Sequence, residues 1–200
     1  ITDEGYVKAA EKLEELVAAG LFQADATTTN YDQASEKFLS GEAAMFINGQ
    51  WYIEDATKAL GDDVDWMFYP AEDSASYEAG KAVFSGGGSA SGFAVNPDSE
   101  NAELAAEVAE FITEKYCEAK VMYRHNPLVA IDTGKEPDSE YPAMMQKLSD
   151  TLPSITSTTK FTWGLTNSTF NDGIQSESQG LVSGQFSAEE FIQDLQDIME

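Results

Sequence analysis

The sequence predicts an α/β fold. Three observations carry that expectation. Short apolar runs of strand length alternate with longer segments whose apolar residues recur at helical spacing. Gly, Asn-Gly and Pro punctuate the joints between them. Neither an internal repeat nor a low-complexity segment interrupts the alternation over the 200 residues.

Taken in order, Thr2 or Asp3 caps a first helix carrying Tyr6, Ala9, Ala10, Leu13, Leu16 and Val17, which Gly20 ends. A loop over 21–29 leads to a short second helix with Tyr31, Ala34 and Phe38, and Gly41 marks its end. Residues 43–47 are an apolar run short enough for a buried strand, broken by the turn pair Asn48-Gly49. Residues 51–60 read as helix closed by Gly61, and 64–69 alternate through Asp65 to Pro70 as a strand does. Residues 72–80 are polar and read as loop; short apolar runs at 82–84 and 92–95 flank a glycine-rich stretch.

A long helix is expected from Asn101 to about Arg124, with Leu104, Val108, Phe111, Ile112 and Cys117 near one face. Irregular chain over 125–139, holding Pro127, Gly134 and Pro137, leads to a helix around 141–148. The Ser/Thr-rich stretch 151–162 reads as loop or edge strand. Phe170, Ile174 and Leu181 fall on a penultimate helix that starts near Asn167 and ends at Gly184. Ser187 and Glu190 form a capping box for a last helix that buries Phe191, Ile192, Leu195 and Ile198.

Composition narrows the function. At 42% hydrophobic residues the chain has the means to build a core. Its length suits one ordinary domain, or one and a half lobes of something larger. No apolar stretch approaches the ~18 residues that span a bilayer, and the opening ITDEGY lacks the pattern of a signal peptide. The net charge of -25 repels phosphate backbones and anionic headgroups, so nucleic acid and membrane surfaces are poor partners. The single cysteine, Cys117, excludes an internal disulfide and reads as a small core hydrophobe.

The densest signal is FLSGEAAMFINGQWY, from Phe38 to Tyr52. A helix ends, a strand follows, a turn breaks it, and Trp51 stands where the strand would deliver its C-terminal end. Ligand crevices of open α/β sheets lie at such ends. The pattern of Phe38, Gly41, Glu42, Ala43, Ala44, Met45, Gly49 and Trp51 resembles the extracellular solute-binding proteins of sugar ABC importers, two-lobed receptors like maltose-binding protein. The likeness continues in order: the helix ending in Ala19-Gly20-Leu21, the 64–70 stretch with the glycine-rich run and Gly92-Phe93-Ala94-Val95-Asn96, and the terminal helices around Ser183–Glu190.

This resemblance implies the C-terminal lobe of a two-lobed periplasmic-binding-protein-like fold, with segments that complete a missing N-terminal lobe. Residues 1–89 would open the C-terminal lobe, 90–140 would cross to the N-terminal lobe, and 141–200 would return. The chain is about half the length expected of the family, so it is expected to be truncated, with the 101–124 helix lacking its packing partner and favouring self-association. It further implies an extracellular location, lipid-anchored or periplasmic, an ABC permease as partner, a neutral sugar as ligand, and neither enzymatic activity nor a cofactor.

A sugar site needs an aromatic platform for the C–H face and paired polar groups for the hydroxyl rim. Trp51 is the first candidate platform, its other reading being a core aromatic. Asn48 and Gln50 flank it, as hydroxyl partners or as a turn residue and a helix cap. Ser85, Gly86, Gly87 and Gly88 form the second candidate, where glycines let backbone approach a ligand, or simply turn. Trp163, before the penultimate helix, is placed by looser resemblance. Trp66 reads as core, and Arg124 and His125 as cations at a helix C-terminus.

Other chemistries fail on pattern. Asp62, Asp63 and Asp65 lack calcium-loop spacing, and one His with one Cys cannot build a zinc site. No phosphate loop or nucleophile elbow occurs. The alternatives to a sugar receptor are a carbohydrate-active enzyme using two of the 36 acidic residues, and a surface adhesin or interaction domain.

Overall fold

The computed structural model describes residues 3–86, 92–162 and 165–199. In order the chain forms α1 (Glu4–Ala18), α2 (Tyr31–Leu39), α3 (Ile53–Leu60), α4 (Ser74–Gly80), β1 (Val83–Phe84), α5 (Ala102–Met122), α6 (Ala143–Thr151), β2 (Ser157–Thr158), α7 (Ser168–Val182) and α8 (Ala188–Met199). Among the described residues, 3-10 turns lie at Gln50–Tyr52, Gly61–Asp63 and Leu152–Ser154. β1 and β2 pair in parallel, with Val83 opposite Ser157 and Phe84 opposite Thr158. The chain is thus helix-rich with a small sheet, narrower than the α/β alternation expected from the sequence.

Helix ends follow local chemistry. Asp3 accepts from the Gly5 N–H at 2.9 Å to cap α1, while Thr2, the other expected cap, lies outside the described residues. Gly20 takes φ +80°, and the Leu21 N–H reaches back to the Leu16 carbonyl at 3.0 Å. Asn167 accepts from the Phe170 N–H to open α7, and Ser187 and Glu190 satisfy each other's backbone N–H before α8. Residues 74–80 correct the expectation of a loop. Asp73 accepts from the Ser76 N–H at 2.8 Å, and that cap supports two helical turns without an apolar stripe.

The strands expected at 43–47 and 64–69 are not in a ladder among the described residues. An apolar run makes a strand only where a neighbour takes its N–H and C=O groups. Met45 is 71% exposed and Ile47 is also exposed. Residues 64–69 keep the period of two, with Val64, Trp66 and Phe68 more covered than Asp65, Met67 and Tyr69. The helix faces shift too. In α1 the covered residues are Val7, Ala10, Leu13 and Val17, whereas Tyr6 and Leu16 face water. In α5, Leu104, Val108, Phe111 and Ile112 are exposed and Cys117 is buried.

The chain divides into two compact units, 1–46 with 161–200, and 47–160. The first is built on α1, α7 and α8 packed against one another. Its core holds Ala10, Leu181, Ala188 and Leu195, and Leu181 is only 1% exposed. Glycines allow close approach here. A Cβ on Gly180 would meet the Phe186 ring at 2.1 Å, and one on Gly173 would meet Ile198 Cδ1 at 2.6 Å. The second unit packs α3 on α6, with Tyr52, Ile53 and Ala56 buried on the α3 side and Met144, Met145 and Leu148 on α6. Trp66 joins this core through its indole N–H, which donates to the Met144 carbonyl at 3.0 Å. Lys147 lies 4.8 Å above its ring and pairs with Asp65 at 2.6 Å.

Candidate functional site

The site is built in the second unit where the chain enters α3. Gly49 has φ -104° and ψ 173°, and the Gln50–Tyr52 turn follows directly. The Gly49 N–H is taken by Asn48 Oδ1 at 2.8 Å, and the Tyr52 N–H by the Gly49 carbonyl at 3.0 Å. This short turn sorts its side chains. Tyr52 and Ile53 are buried and anchor it, while Trp51 remains 48% exposed. The indole lies on the Gly49 backbone: a Cβ there would fall 2.2–2.5 Å from three ring carbons. The glycine is therefore the seat of the tryptophan.

Gln50 is held from the far side of the sequence. Its Oε1 accepts from Asn126 Nδ2 at 2.7 Å. Asn126 is the buried polar residue of the described chain, 5% exposed. Its Oδ1 accepts from the Leu128 N–H at 3.0 Å, and its own N–H donates to the Lys120 carbonyl at 3.1 Å. Lys120 Nζ donates to the Leu128 carbonyl at 2.6 Å. Burial, aided by the like charge of Arg124, pushes the Lys120 ammonium below its ordinary range. Arg124 pairs with Glu54 of α3 at 2.6 Å, a specific bond beyond the helix-end electrostatics expected of it. Lys58, and then Arg124, hold the Glu54 carboxyl below the usual range.

The structure brings Asn48, Gln50 and Trp51 together on one turn. Ser85 is exposed, and Gly86, at φ +75°, donates its N–H to Thr159 Oγ1 at 3.4 Å. No hydrogen bond among the described residues links this pair to the Asn48–Trp51 turn. Gly87, Gly88 and Trp163 lie outside the described residues. Sequence reasoning missed Asn126, because its contact to Gln50 crosses 76 positions and leaves no local pattern.

Competing chemistries are weak in the geometry. His125 Nε2 lies 2.8 Å from Asp138 Oδ1 and 2.9 Å from Ser139 Oγ. Both partners meet the same ring nitrogen, whereas a serine–histidine–carboxylate relay uses opposite ones. No group of three or more His, Cys, Asp or Glu suited to a metal occurs among the described residues, and there no helix is long and apolar enough to cross a membrane. In the first unit, a cleft of about 410 Å³ is lined by Asp25, Thr28, Thr29, Gln33 and Lys37 among others. The Lys37–Asp25 ion pair at 3.1 Å lies in it, Glu36 and Glu42 leave it net negative, and no aromatic lines it.

A model of the bacterial extracellular solute-binding protein family matches residues 2–115. The chain belongs to this family. A comparison with curated proteins returns no significant match. The matched stretch runs from α1 into α5 and includes the Asn48–Trp51 turn, while Asn126 and Trp163 lie beyond it. This solute-binding protein therefore has an extracellular or periplasmic role in ABC transport, with a small-molecule ligand and a transporter partner. Its family is generally non-enzymatic.

Proposed function

We propose that this solute-binding protein holds a neutral sugar or oligosaccharide against Trp51 and delivers it to an ABC permease. The observation that carries the reading is the half-exposed indole seated on Gly49 beside the anchored amide of Gln50. A sugar's C–H face stacks on such a ring and its hydroxyl rim meets such amides. Asn48, Ser85, Gly86, Gly87, Gly88 and Trp163 complete the proposed site. In this reading residues 1–89 and 141–200 serve one lobe and 90–140 the other, and closure on the ligand is what the permease recognises.

The proposal extends to α5. Leu104, Val108, Phe111 and Ile112 are exposed, and a groove of about 320 Å³ runs beside them, lined by Phe93, Val95 and Ala105 among others. A continuous apolar surface of this kind favours association, and self-association through residues 101–124 is its expected use.

The test is tryptophan fluorescence titrated with mono- and oligosaccharides. A saturable change with one sugar class, absent in Trp51→Ala, is expected. A flat response to every sugar by the full-length gene product would refute the sugar reading.

A further inference from the structure

The hydrogen bonds around Asn126 fix which end of the half-buried Gln50 amide is engaged by the protein. The Leu128 N–H can only donate, so the Asn126 atom 3.0 Å from it must be the carbonyl oxygen. The other end of Asn126 is then its amide nitrogen, also a donor, and the Gln50 atom 2.7 Å away must be an oxygen. Gln50 Oε1 is thereby committed to the protein. The group left for a ligand is Nε2, with two N–H donors and no lone pair to offer. The orientation follows from the chemistry of one backbone N–H and is passed through two side chains.

Asn126 is itself well placed for this task. It is buried, its backbone N–H is tied to the end of α5 through the Lys120 carbonyl, and Lys120 Nζ braces the Leu128 carbonyl on the other side. An amide with both ends engaged in a buried setting does not rotate without leaving a donor or an acceptor unpaired. Gln50 directly precedes Trp51, whose ring is the exposed element of the turn.

We infer that Gln50 is a specificity residue that donates to an acceptor oxygen of the ligand, and that Asn126 is the positioning residue that sets this polarity. The inference rests on the receptor reading above and deepens it. The ligand group beside Trp51 is a hydroxyl used as an acceptor, or a ring or carbonyl oxygen. A group able only to donate finds no partner there, and the site rejects it because Nε2 would remain unpaired.

Two variants invert the polarity without removing the bonds. In Gln50→Glu a carboxylate still accepts from Asn126 Nδ2 but turns an oxygen outward. In Asn126→Asp a carboxylate still accepts from the Leu128 N–H, and Gln50 must flip to donate to it, turning Oε1 outward. The probes are maltose, cellobiose, xylobiose and lactose, titrated by tryptophan fluorescence on the full-length gene product. Thermal melts check folding, and the Gln50 side-chain amide signals are followed by NMR. In the unmodified protein one probe saturates and the Gln50 amide signals move with it. Both variants are expected to weaken that probe about tenfold or more, the scale of one hydrogen bond lost at a ligand contact, with the melting temperature unchanged in Gln50→Glu and lowered in Asn126→Asp by the carboxylate it buries.

Three results decide the matter. Saturation by the unmodified protein with equal affinity in Gln50→Glu overturns the donor role while leaving the receptor reading standing. Weakened binding in Asn126→Asp with Gln50 amide signals that ignore the ligand assigns Asn126 a merely structural part and also overturns it. No saturation with these probes or with any other mono- or oligosaccharide removes the sugar reading, and this inference falls with it.

Discussion

Replacing Gly49 by alanine isolates the platform from the rest of the fold. The residue sits at φ -104°, which alanine adopts without strain, so the backbone has no reason to move. The whole cost falls on Trp51. Its ring carbons lie 2.2, 2.3 and 2.5 Å from the new Cβ, against about 3.5 Å for carbon atoms in contact. The indole must retreat by roughly 1 Å or change rotamer, at about 0.5–1.5 kcal/mol. Because Trp51 is 48% exposed, it swings into water and not into the core, and the protein remains folded. The loss appears in ligand stacking, worth about 0.5–1.5 kcal/mol, which is roughly a twofold to tenfold weaker Kd. The assay pairs a sugar titration with fluorine NMR of fluorotryptophan-labelled protein, the Trp51 signal being assigned by Trp51→Phe. Gly49→Ala should shift that signal in the absence of ligand and weaken binding, with little change in melting temperature. An unmoved Trp51 signal, or a Kd equal to that of the unmodified protein, would refute the seating argument.

Other positions give further tests. Gly180→Ala gains about 1 kcal/mol of helix propensity but drives a methyl into the Phe186 ring, at about 1–3 kcal/mol for overpacking. It should lower the urea midpoint. Gly173→Ala meets the Ile198 side chain through Cδ1 at 2.6 Å and Cγ2 at 3.2 Å, less tightly than Gly180 meets Phe186, and should lower the midpoint less; a reversal of that order would show the packing argument wrong. For Glu54, a folded pKa below its usual 4.5 means the unfolded state takes up the proton first. The stability it contributes is full above pH ~4.5 and is lost as pH falls through the lower folded value. Arg124→Met should therefore cost about 0.5 kcal/mol at pH 7 and less at pH 3, and an equal cost at both would exclude the ion pair as the cause. Finally, Phe111→Glu should abolish concentration-dependent association seen by light scattering. That association should strengthen in 1 M salt, which screens a net charge of -25 on each copy. A protein monomeric at high concentration and high salt would dispose of it.

What was legible in the sequence was what local chemistry determines. Gly20, Gly41 and Gly184 take the positive φ that a helix end requires, and Ser187 with Glu190 makes a bond set within four residues. The turn at Asn48-Gly49 and the placing of Gln50 and Trp51 beside it were legible for the same reason. The runs at 43–47 and 64–69 have strand composition, but pairing depends on a neighbour and composition does not supply one. The stripe Leu104–Val108–Phe111–Ile112 marks an apolar face correctly without saying what lies on it. Asn126 was out of reach, since nothing in the sequence His125-Asn126-Pro127 announces a partner 76 positions away.

The first unit is assembled from both ends of the chain, with 47–160 inserted between its halves. On a ribosome, α1 emerges long before the helices that cover Val7, Ala10, Leu13 and Val17. At about 5–20 residues per second, the wait from the end of α1 to residue 161 is roughly 7 to 29 seconds. During that interval the face of α1 that these helices cover has not yet met them, and it stays open to chaperones and proteases. Completion of this unit thus waits on residues 161–200, and a chain stalled or clipped before α7 loses α1 from the fold along with the piece that was removed.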